Sequence, residues 1–63
     1  MTPNEYQQAI QQKIQTATPE QITTIATLVE ILCNDETDQA KLETAYAYYT
    51  GKANWQTDAQ QLL

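Results

Sequence analysis

Apolar residues recur along this chain at helical spacing, and nowhere do they alternate with polar ones between turn signals as a half-buried strand requires. Tyr6, Ile10, Ile14 and Ala17 share one side of a helix expected over residues 3–16. This stripe is thin, and the outer face is mostly glutamine, at Gln7, Gln8, Gln11, Gln12 and Gln15. A second helix, expected over 19–33, is the hydrophobic centre. Its Ile22, Ile25, Ala26, Leu28, Val29, Leu32 and Cys33 cover an arc of roughly 160° at about 100° per residue, wide enough to touch two neighbours. Ile31 falls outside that arc, on the threonine side, and is expected either to stay exposed or to meet a partner. A third helix, running to about Thr50, carries Leu42, Ala45, Tyr46 and Tyr49 on one face. In the tail, Trp55, Ala59 and Leu62 fall at i, i+4 and i+7 of a short last helix.

Local signals place the ends of these helices. Thr2-Pro3-Asn4-Glu5 and Thr18-Pro19-Glu20-Gln21 have the same form: a Thr suited to the N-cap, Pro at the first helical position, and Glu or Gln able to reach back as a capping box. Because Pro19 disfavours the α conformation at Thr18, the first helix must end near Gln15 to Ala17, and so short a joint favours an antiparallel hairpin. Asn34-Asp35-Glu36-Thr37-Asp38 breaks the apolar period, supplies a turn and N-cap candidates, and puts negative charge on the first turn of the third helix. Gly51 is a natural left-handed stop, and Asn54 or Thr57 can cap the last helix. The expected fold is all-α: a single domain over 1–63, a small bundle of three helices plus a short C-terminal one, with the first two as an antiparallel hairpin.

Composition narrows the chemistry. The chain has 63 residues, and a domain of this size buries only about 60% of its unfolded surface. Its single cysteine excludes an intrachain disulfide, and the absence of histidine excludes Cys/His zinc sites. Tight helix packing or self-association must supplement the core, so a homodimer is expected. The net charge of −5, with three lysines and no arginine, argues against direct nucleic acid binding and against anionic membranes. No run of apolar residues is long enough to span a bilayer and no signal-peptide pattern opens the chain, from which a cytoplasmic location is expected.

Catalysis has little to work with: there is no His for acid–base transfer, no Arg to clamp phosphate, and one Gly where a phosphate loop needs several. Cys33 lies on the apolar arc with no expected base beside it, and reads as a buried structural thiol. The acidic residues Asp35, Glu36, Asp38 and Glu43 lack the glycine and spacing of a calcium loop. The expectation is a non-enzymatic protein with no metal and no cofactor. The aromatic segment from Tyr46 to Trp55 is more informative. Tyr46 and Tyr49 belong with Leu42, and Trp55 is expected to cap that core. Tyr48 sits off the edge of the face, between Lys41 and Lys52, and is expected to be partly exposed.

The segment from Ile10 to Leu32, Ile-x-x-x-Ile-x-x-x-x-Pro-Glu-Gln followed by an aliphatic-rich helix, resembles the Pro-Glu-Gln helical joint of small bacterial proteins often described as antitoxin-like. That resemblance covers about a third of the chain, and it implies a small regulatory or binding protein. Two functional expectations result. The first is a protein-binding module, self-associating as a homodimer, that meets a protein partner through Ile31, Tyr48, Lys41, Lys52 and Trp55. The second is an acidic inhibitor or antitoxin-like protein that occupies a basic site on its partner through Asp35, Glu36, Asp38 and Glu43.

Overall fold

A computed structural model of the chain describes residues 2–63 and shows four helices: α1 (Pro3–Ile14), α2 (Pro19–Leu32), α3 (Asp38–Tyr49) and α4 (Trp55–Leu62). No strand occurs among the described residues. The helix starts follow the caps. Thr2 and Glu5 form a reciprocal capping box at α1, and the Thr18 hydroxyl accepts from the Gln21 amide at α2. Thr37 accepts from Ala40 at α3, and Asn54 Oδ1 accepts from both Gln56 and Thr57 at α4. Gly51, at φ +83°, ends α3 in the left-handed region that a Cβ disfavours. Its amide donates to the Tyr48 carbonyl, while that of Ala53 reaches Ala47.

Spatial order differs from chain order. The principal helix contacts are α1 with α3, α3 with α2, and α2 with α4, so α1 takes α3 as its main partner. The molecule is a slab of 30 × 29 × 17 Å. No helix among the described residues is long and apolar enough to cross a membrane.

The core lies where α2, α3 and α4 meet. Ile25, Leu28 and Tyr48 are buried, with Val29, Tyr49, Ala53, Trp55 and Ala59 packed against them. Tyr48 thus departs from its expected place at the surface: it is only 4% exposed. The physical cause is the position of α3, which has helices on two sides and carries apolar residues around its circumference instead of on one face. Leu32, expected within the buried arc, is instead 46% exposed at the last turn of α2.

Candidate functional site

Because α1 packs mainly against α3 and not α2, an apolar groove of about 540 Å³ runs between these three helices. From α1 it takes Ile10 and Ile14, one turn apart, with Gln7 beyond them. From α2 come Ile22, Ile25, Ala26 and Val29, at i, i+3, i+4 and i+7, a stripe about two turns long. Leu42, Ala45 and Tyr49 of α3 lie between these walls. Only Ile25 of this set is fully buried; Gln7, Ile14 and Ala26 are exposed and the rest are half-buried. The charged groups of the lining are Glu30, Asp38 and Lys41, two acids to one base.

Its lining is mainly aliphatic. Among the described residues no group of His, Cys, Asp and Glu is placed to hold a metal ion, and no buried side-chain N or O atom lacks a hydrogen-bond partner. The groove therefore has no orphaned polar atom aimed inward to orient a small polar ligand, whereas its helically spaced aliphatic residues suit an apolar stripe.

The residues singled out from the sequence are dispersed over the molecule. Tyr48, in the core, donates from its hydroxyl to Asp58 Oδ2 at 2.6 Å, tying α3 to α4. Burial, then this hydrogen bond, then the Asp58 charge push its pKa up to about 12. The expected Lys41–Tyr48–Lys52 ridge does not form: Lys41 lines the groove, and the Lys52 ammonium lies 5.4 Å from the centre of the Tyr46 ring. Tyr46 also meets Tyr6 of α1 edge-on, with ring centres 5.1 Å apart, an arrangement favoured by the ring quadrupoles. Burial, together with the nearby Glu43 charge, raises the Tyr6 pKa, and burial alone raises that of Tyr49. Trp55 is half-buried against the core, so it shares no exposed patch with Tyr48. Ile31 is exposed, as its position outside the arc of α2 requires.

The acidic residues Asp35, Glu36, Asp38 and Glu43 are all exposed, and Asp38 alone of them lines the groove. Cys33 is buried at the end of α2, its Sγ 3.3 Å from the Thr44 hydroxyl, the structural position expected of it. The sequence places the groove-lining Ile10, Ile14, Ala26 and Ala45 on apolar helix faces, but it does not point to them as a binding site. The signal was present in the width of the α2 arc, which offers more apolar surface than one neighbour can cover. Compared with known protein families, with curated proteins and with solved structures, the chain matches none. The functional reading therefore rests on the groove itself.

Proposed function

We propose that this protein is a small, non-enzymatic binding module that holds a helix of a protein partner in the groove between α1, α2 and α3. The observation that carries this reading is an apolar groove of about 540 Å³ that the chain's own four helices leave open. α1 and α2 each pack on α3 more than on each other, and the apolar walls this leaves suit a further helix, which packs on its neighbours at about 8–10 Å between axes. Partner sequences would be read through anchors at i, i+3, i+4 and i+7.

The test is a titration with a leucine-striped helical peptide whose remaining positions are glutamine and alanine, followed by amide NMR. Shifts confined to residues near Ile10, Ile22, Val29 and Ala45, and abolished by Ala26→Gln, are expected. Ala26 is exposed on a helix, so this change adds bulk to the groove with little cost to folding. Shifts scattered over the whole surface, or none at millimolar peptide, would refute the reading.

A second reading, self-association as a homodimer, is favoured by a different surface. Ile31 and Leu32 are adjacent at the end of α2 and each is 46% exposed. Sedimentation velocity over a hundredfold range of concentration tests it, and a constant monomeric coefficient would remove it.

A further inference from the structure

The proposed groove has a charge bias that its apolar lining does not require. Glu30 of α2 and Asp38 of α3 are both exposed and line it, and Lys41 is the one cation there. The other two lysines do not compensate: Lys52 is engaged over Tyr46, and Lys13 is not part of the lining. Behind this margin stands a whole chain of net charge −5 without a single arginine. An incoming helix brings its apolar stripe down into the groove and its flanking positions up against Glu30 and Asp38. Charges that come within the screening length of about 8 Å at physiological salt are felt.

From this we infer that the occupant is a basic amphipathic helix, belonging to a different protein, with Lys or Arg flanking its apolar stripe. The inference rests on the groove being a helix seat, and it adds the charge of what sits there. A second copy of this chain is the poorer occupant, because it brings five net negative charges to a surface that is already negative. Its glutamine-faced α1 carries one lysine, Lys13, and so offers no basic flank to match Glu30 and Asp38. A helix with arginine or lysine beside its apolar stripe can pair with Glu30 and Asp38, which outnumber Lys41 among the lining charges. The same bias would set the partner's approach, since opposite charge speeds encounter more than it tightens the final contact.

The experiment uses three peptides of one length with the same leucine stripe and with flanks of Lys, Gln or Glu, measured by fluorescence anisotropy against the whole chain. The Lys peptide should bind about tenfold more tightly than the Glu peptide near 0.1 M salt, with the gap closing to about twofold near 1 M. Ala26→Gln should abolish binding of all three, and the pair Glu30→Gln with Asp38→Asn should bring the Lys and Glu peptides within about threefold of each other. Equal affinity for all three peptides, still sensitive to Ala26→Gln, overturns the charge inference and leaves the helix seat standing. Binding of the Lys peptide that survives Ala26→Gln places the contact on the acidic surface and overturns the inference. Binding of none of the peptides overturns both readings. A concentration-dependent dimer that Ala26→Gln dissociates makes the occupant a second copy, and overturns the inference in favour of that copy.

Discussion

The hydrogen bond from Tyr48 to Asp58 is the one polar tie between α3 and α4 among the described residues, and its removal gives a clean measure of how α4 is held. The perturbation is Tyr48→Phe, which keeps the buried ring and deletes only the hydroxyl. At 2.6 Å the bond is short and its acceptor is a carboxylate, a class worth about 1.5–3 kcal/mol. Asp58 is half-buried, so water can replace part of what it loses, and about 1–2 kcal/mol is the expected net cost. For 63 residues the total stability is of order 3–9 kcal/mol, so the loss is a sizeable share. With a shift of about 4–8 °C per kcal/mol in a domain this small, the melting midpoint should fall by about 4–16 °C.

Far-ultraviolet circular dichroism reads that midpoint, and Tyr49→Phe is the control. Tyr49 packs against the same core, but its hydroxyl makes no hydrogen bond among the described residues, and its loss should cost under about 0.5 kcal/mol. A double-mutant cycle with Asp58→Ala should return a coupling of about 1 kcal/mol or more.

Alkali supplies an independent reading. The Tyr48 pKa stands near 12 in the folded chain against 10 for the unfolded reference, so the contribution is fully present below pH 10. As pH rises from 10 to 12 the unfolded chain gives up this proton first, and stability falls. Tyr6 and Tyr49 shift in the same direction, so the comparison between wild type and Tyr48→Phe isolates Tyr48. A coupling within about 0.3 kcal/mol of zero, together with identical alkaline curves, would refute the reasoning and leave α4 held by Ala53, Trp55 and Ala59 alone.

Leu28 is fully buried, and Leu28→Ala should cost about 2–5 kcal/mol, against a total of order 3–9, leaving much of the chain unfolded at 37 °C by circular dichroism. A cost under about 1 kcal/mol would mean that the core at α2 collapses around the lost side chain. Gly51 has φ +83° with no atom within 4 Å of where a Cβ would sit, so Gly51→Ala meets no clash and should cost only the backbone term of about 1–2 kcal/mol in urea unfolding. Gly51→Asn should recover part of that loss, and equal costs for Ala and Asn would contradict the left-handed explanation.

The starts of all four helices were legible because each is a local event: Thr2, Thr18, Thr37 and Asn54 satisfy amides two or three residues away, and nothing distant can change that. The burial of Tyr48 was not legible, because it depends on what lies beyond the helix. By phase alone Tyr48 is about 100° from Tyr49 and level with Lys41, the profile of a surface residue. It is buried because α2 and α4 occupy that side of α3, and its i, i+4 neighbour Thr44, which meets Cys33, marks the same side. Thr44 is polar, so a count of apolar positions passes over it.

The groove has the same origin. The short joint after α1 favours a hairpin with α2, but Tyr6 meets Tyr46 of α3, and Ile10 and Ile14 line the groove. One edge of the α2 arc, at Leu28, is then covered by α3 and α4, while the other edge, at Ile22, Ala26 and Val29, is left facing the α1 aliphatics across open space. The packing of α1 on α3, to which this aromatic contact belongs, thus decides where the opening falls. Replacing Tyr6 with Ala, which weakens that packing without touching the groove's own lining, would let α1 compete for that space in place of a partner helix.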